Sequence, residues 1–158
     1  MYNFASEFIM NTYDTIRDVL KRKGQQVWSI TPDATVYRAI EVMADKHIGA
    51  LLVIVDEKLV GIVSERDYAR KVVLRGRSSK QTRVEEIMTS PVISVEPQHV
   101  IDECMRIITE NRIRHLPVIE DEKVIGVVSI GDLVNWIISA QHQTIQQLQD
   151  YITGKYPL

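Results

Sequence analysis

Forty-seven residues of this 158-residue chain occur twice. Val27 to Val73 lies over Val92 to Ile138 without a gap, at a constant offset of 65, and fourteen of the positions are identical. A duplication at one fixed period constrains the fold strongly, because each copy must form the same supersecondary unit. The identical pairs include Pro32/Pro97, Ile48/Ile113, Leu51/Leu116, Val53/Val118, Gly61/Gly126, Ser64/Ser129 and Asp67/Asp132. A shorter echo precedes each copy: Thr15 to Leu20 resembles Arg83 to Met88, with a slightly different spacer. Each unit is therefore expected to open with a short lead-in.

Inside each copy the hydrophobic period changes in the same order. Val36, Ala39, Ile40 and Met43 fall at i, i+3, i+4 and i+7, as do Ile101, Cys104, Met105 and Ile108, so each set lines one face of a helix. Leu51 to Val55 and Leu59 to Val63 are short aliphatic runs around Asp56-Glu57-Lys58, which reads as strand, tight turn and strand. Leu116 to Ile119, Asp121-Glu122-Lys123 and Val124 to Val128 repeat it. Ser64-Glu65-Arg66-Asp67 and Ser129-Ile130-Gly131-Asp132 then supply an S-x-x-D helix start. The expected order in each half is leading strand, helix, strand, strand, helix. One half alone leaves an apolar sheet face and two helical stripes uncovered, so two halves packed together are expected.

These residues resemble a tandem cystathionine-β-synthase (CBS) domain pair, or Bateman module. The resemblance rests on Leu59-Val60-Gly61-Ile62-Val63-Ser64-Glu65-Arg66-Asp67, on Arg112-Ile113-Arg114-His115-Leu116-Pro117-Val118, and on Val124-Ile125-Gly126-Val127-Val128-Ser129-Ile130-Gly131-Asp132. It covers about residues 15 to 140 and is most similar to stand-alone members. The fold it implies is α/β (α+β): two pseudo-symmetric β-α-β-β-α repeats packed through their sheets. It also implies an adenosine-containing ligand, and dimers of such pairs. The expected division is an N-terminal arm or helix over 1–26, the first repeat with its linker over 27–80, the second with its lead-in over 81–140, and a helical extension and tail over 141–158.

The resemblance makes Asp67 and Asp132 ribose-binding residues, since an ionised carboxylate accepts both hydrogen bonds of a diol. Ser64 and Ser129 stand where a strand feeds a helix, and unpaired amides at a helix start favour phosphate. Arg66, Arg112 and Arg114 are the accompanying phosphate candidates. Gly49, Ala50 and Leu51 in the first repeat, and His115, Leu116 and Pro117 in the second, are the expected adenine contacts. A plainer reading of the same residues stays open: S-x-x-D is also an ordinary capping box, and Gly49 and Ala50 can be small for packing alone. The first repeat departs from the pattern by carrying Leu52 where the second has Pro117.

Composition narrows the function class. Nineteen basic against twenty-one acidic residues give a net charge of −2, with no global field for nucleic acid or an anionic membrane. One cysteine, Cys104, forms no internal disulfide or multi-thiolate metal site. His47, His99, His115 and His142 lack metal-ligand spacing, and no Walker or Rossmann glycine motif is present. The expectation is a cytoplasmic regulatory module, not an enzyme, without metal. The resemblance implies an adenine nucleotide as its ligand, AMP or NAD favoured, with ADP, ATP and S-adenosylmethionine open. Ile145, Leu148 and Ile152 extend an apolar stripe toward a homodimer contact, and an unidentified regulated protein is a further expected partner. The competing class is a structural protein-interaction module whose aspartates only cap helices.

Overall fold

A computed structural model describes residues 13–155; the first twelve residues of the expected N-terminal arm and the end of the tail lie outside the described residues. The elements are α1 (Ile16–Lys23), β1 (Ser29–Ile30), α2 (Val36–Lys46), β2 (Ala50–Val55), β3 (Lys58–Ser64), α3 (Glu65–Lys71), α4 (Ile101–Asn111), β4 (His115–Glu120), β5 (Lys123–Ser129) and α5 (Ile130–Ile152). Mixed helices and two small sheets make this an α/β fold of the expected class. The chain divides into two compact units, each discontinuous in sequence. One comprises residues 26–94 with 119–126; the other comprises the chain up to residue 25, 95–118 and the chain from 127 onward.

In the unit containing the first repeat, β1 pairs parallel with β2, and β2 pairs antiparallel with β3. Val36, Ala39 and Met43 of α2 are buried with Leu51, Val53, Val63 and Val72, so the stripe read at i, i+3 and i+7 is the face that meets the sheet. Thr35 starts α2, its hydroxyl accepting from the Arg38 amide at 3.1 Å. His47 ends it in the left-handed region at φ 55°, and Arg112 ends α4 the same way at φ 53°. The hairpins turn on two residues, with Asp56-Glu57 and Asp121-Glu122 all at positive φ. That backbone matches the right-handed twist of the paired strands.

The second repeat has β4 and β5 as a two-stranded sheet, and its leading strand is reduced to one parallel bridge between Val95 and Val118. The reason lies at position 117. In the first repeat the Leu52 amide donates to the Trp28 carbonyl at 3.2 Å. Its counterpart Pro117 has no N–H, so that rung is lost and the ladder shortens.

The lead-ins are exchanged. Residues 14–17 hydrogen-bond to 97–101: Ile101 N to Asp14 O (3.1 Å), Ile16 N to His99 O (2.9 Å) and Arg17 N to Pro97 O (2.9 Å). Residues 82–85 make the same three bonds with the first repeat: Val36 N to Thr82 O (2.8 Å), Val84 N to Ala34 O (2.8 Å) and Glu85 N to Pro32 O (3.0 Å). Each repeat is thus completed by the lead-in that precedes the other one. Ile16, Val19 and Leu20 of α1 are buried, and α1, like α4, packs on α5, while Val84 and Ile87 join the first repeat's core. Each such fully buried aliphatic side chain is worth about 1.5–3 kcal/mol.

The linker is tied into the unit of the first repeat. Thr82 is buried and its hydroxyl donates to the Ser78 carbonyl at 2.7 Å; Tyr37 N bonds Ser79 O at 2.9 Å. Arg77 pairs with Glu86 at 2.5 Å, and Lys80 lies over the Tyr37 ring at 4.8 Å. These contacts occupy the linker cations. Cys104 is fully buried on α4, and burial, with Glu103 adding to it, pushes its thiol up to about 11. Native protein is therefore expected to resist a thiol-specific reagent at pH 8, with rapid single-site labelling appearing only in denaturant; labelling as fast as that of a free thiol would place Cys104 at the surface.

Candidate functional site

Each repeat builds the same turn from strand to helix. Ser64 and Ser129 are the N-caps of α3 and α5, extended at φ −124° and −99°. The Asp67 amide donates to Ser64 Oγ at 3.2 Å, while Asp67 Oδ2 accepts from the Ser64 amide and hydroxyl, both at 3.0 Å. At the second start, the Asp132 amide donates to Ser129 Oγ at 3.1 Å and Asp132 Oδ2 accepts from the Ser129 amide at 2.8 Å. Both S-x-x-D segments are therefore reciprocal capping boxes, as the plainer reading of the sequence had it.

The first amide of each helix is engaged as well. Glu65 N donates to Gly49 O at 3.0 Å, and Ile130 N donates to Arg114 O at 2.8 Å, positions again related by the offset of 65. These bonds bring the Gly49-Ala50-Leu51 segment to Ser64 and Asp67, and the Arg114-His115-Leu116 segment to Ser129 and Asp132. They also employ the first and third amides of each helix start, so the expected ready-made amide cradle for phosphate is largely committed. Any phosphate at these turns calls on side-chain cations.

Two lysines that sequence reasoning did not single out complete the turns. Lys71, one helical turn beyond Asp67, pairs with its Oδ1 at 3.0 Å and donates to the Ile87 carbonyl at 2.8 Å. Lys23, from the end of α1, pairs with Asp132 Oδ2 at 2.5 Å and donates to the Val127 carbonyl at 2.7 Å. The i, i+4 spacing of Asp67 and Lys71 was readable in the chain; the Lys23 contact spans 109 positions and carries no local signal.

The electrostatics of the second turn follow from this half-buried arrangement. Burial raises the Asp132 carboxyl, but the Lys23 ammonium and the Ser129 amide and hydroxyl outweigh it, and the net shift is downward. His115 is pushed below its ordinary value by burial first, then by Lys23; Asp132 opposes, and Arg114 adds to the lowering. Of the remaining expected site residues, Leu51, Leu116 and Pro117 are buried, Gly49, Ala50 and Arg66 are half-buried, and Arg112 is the exposed residue that terminates α4. Arg112 is thus placed by backbone geometry at a helix end. Among the described residues no group of His, Cys, Asp and Glu is arranged to hold a metal ion, and no helix is long and apolar enough to cross a membrane.

The lowered His115 value sets an expected pH dependence. A histidine whose folded value lies below its unfolded value contributes stability that is complete above the unfolded value, near 6.5, and is lost as pH falls toward the folded one. Asp132 acts in the same sense at lower pH, contributing above the unfolded carboxylate range and failing as pH falls through its depressed value. The midpoint of thermal unfolding is expected to fall between pH 7.5 and 5.5, and His115→Gln to flatten that slope; an unchanged slope in the variant would remove His115 as its source.

The CBS-domain family model matches residues 16–74 and 84–139, which bounds each copy with its own preceding lead-in. The chain belongs to the CBS-domain family. As a CBS pair, a class of regulatory module, it is 43% identical over 152 residues to the mitochondrial CBS domain-containing protein CBSX3 of Arabidopsis thaliana, covering 90% of this chain and 73% of that one. A solved CBS-domain protein from Burkholderia ambifaria MC40-6 is 53% identical with a TM-score of 0.78, over 81% of this CBS pair and 96% of that chain. The CBS domain pair of protein MJ0100, solved with 5′-methylthioadenosine and S-adenosylmethionine, shares the fold at a TM-score of 0.69 and 23% identity, over 81% and 98% of the two chains.

Proposed function

We propose that this CBS pair is a regulatory module that binds an adenine nucleotide and is biased in conformation by its occupancy. The observation that carries the reading is the duplicated bond from Glu65 N to Gly49 O and from Ile130 N to Arg114 O. In each repeat that bond gathers a segment suited to a flat base and a carboxylate suited to a ribose diol. Asp67 and Asp132 take the ribose, Ser64, Arg66, Ser129, Arg112 and Arg114 are the phosphate candidates, and Gly49, Ala50, Leu51, His115, Leu116 and Pro117 border the base. The adenosine ligands held by MJ0100 support the ligand class. AMP or NAD fits the local cations better than S-adenosylmethionine does.

The module acts as a homodimer in this reading, through the uncharged face of α5 that exposes Ile138, Ile145, Leu148 and Ile152. Light scattering tests that part: a mass of twice 18.1 kDa is expected. The ligand is tested by thermal shift and calorimetry with AMP, ADP, ATP, NAD and S-adenosylmethionine. A ligand at a hundredfold excess over its Kd adds about 2.7 kcal/mol, or roughly 5–10 °C for one cooperative transition of this size. If every candidate at saturation leaves the melting temperature and the heat unchanged, the aspartates return to capping and the chain to a structural interaction role.

A further inference from the structure

Lys23 holds the carboxylate that, on the reading just proposed, grips the ribose. Asp132 Oδ2 accepts from both the Lys23 ammonium at 2.5 Å and the Ser129 amide at 2.8 Å. A diol that bridges both oxygens of this carboxylate therefore competes with the ammonium at Oδ2. The backbone that carries the lysine has little freedom to retreat. Its helix is anchored by buried Ile16, Val19 and Leu20, and its neighbour Arg22 is fixed over the Trp136 ring at 5.4 Å and to Ser139 Oγ at 3.3 Å. The Trp136 ring is itself tied through Nε1 to Asp14 at 2.8 Å. Only the Lys23 side chain can swing, with the Val127 carbonyl its remaining acceptor in the turn.

An ammonium displaced from Asp132 loses its counter-charge, and a ligand that carries an anion of its own restores one. A 5′-phosphate supplies one; a nucleoside does not, and a sulfonium adds a like charge. We propose that Lys23 is the ligand-selecting residue of the second repeat, exchanging Asp132 for the phosphate of an incoming adenine nucleotide and so excluding uncharged and cationic adenosine compounds. The neighbouring cation, Arg22, is engaged with Trp136 and Ser139 instead.

The inference rests on nucleotide binding at Asp132, and the test separates the two. AMP and adenosine are titrated calorimetrically into the wild-type chain and into Lys23→Met, which keeps the length of the side chain and removes its charge. The wild type is expected to prefer AMP by more than tenfold. In Lys23→Met, AMP is expected to bind about tenfold more weakly and adenosine about tenfold more tightly, the factor that one charge-assisted hydrogen bond commands. Should Lys23→Met lose its cooperative thermal transition, Lys23→Gln, which can still donate to Val127, carries the same comparison. A variant that keeps the wild-type preference, or shifts both ligands by one factor, overturns the role of Lys23 while leaving nucleotide binding intact. A wild-type chain that binds neither ligand at millimolar concentration overturns both.

Discussion

Asp132→Asn is expected to weaken adenine-nucleotide binding about ten-fold to a hundred-fold while the chain stays folded. Asparagine retains the size of the side chain and an oxygen for the Ser129 amide, so the start of α5 keeps its cap. What it loses is the charged double acceptor, and with it the ion pair to Lys23. Asp67→Asn is expected to have the smaller effect. Asp67 is balanced by Lys71 on its own helix, while Asp132 pairs with Lys23 from another helix and acts on His115. Calorimetric titration of both single variants and the double variant checks this ranking. A folded double variant with wild-type affinity would leave the carboxylates as caps and nothing more.

Leu20→Ala should destabilise the protein by about 2–5 kcal/mol, the range for truncating a buried leucine whose site cannot collapse. Leu20 is 1% exposed at the heart of the exchanged lead-in, whereas Lys21 beside it is exposed, and Lys21→Ala should change stability by no more than about 0.5 kcal/mol. Urea denaturation measures both. Hydrogen exchange then locates the damage: protection should fall first in α4 and α5, which share a unit with Leu20, and last in α2 and β2. Loss beginning in α2 would mean that α1 serves the repeat it precedes in sequence.

The repeat made most of each unit legible. The stripe of Val36, Ala39 and Met43, the turn at Asp56-Glu57, and the capping boxes at Ser64 and Ser129 all depend on short-range spacing, which is what a sequence displays directly. Lys58 and Lys123, read as turn residues, begin the outgoing strands, because a two-residue turn with both φ values positive already matches the strand twist. The consequence of Pro117 was also written in the chain, but its effect on the leading strand requires knowing that residue 52 donates to Trp28. The exchange of lead-ins left no trace, since an offset of 65 is the same whichever partner a lead-in completes. Lys23 was invisible for that reason: only once α1 is packed with the second repeat does its ammonium come within reach of Asp132.

The exchanged lead-ins also decide where this chain can be cut. A fragment ending near residue 74 would contain a whole first copy by sequence and yet lack Thr82 to Ile87, leaving residues 32–36 at the approach to α2 without their three backbone bonds and the core without the Val84 and Ile87 side chains. A fragment starting near residue 84 would lack α1 and expose the places of Ile16, Val19 and Leu20. Neither half is a self-sufficient piece. Each would be driven to borrow its missing segment from another molecule, so the evolutionary unit that was duplicated and the physical unit that can be shuffled between proteins are different objects, and only the tandem travels whole.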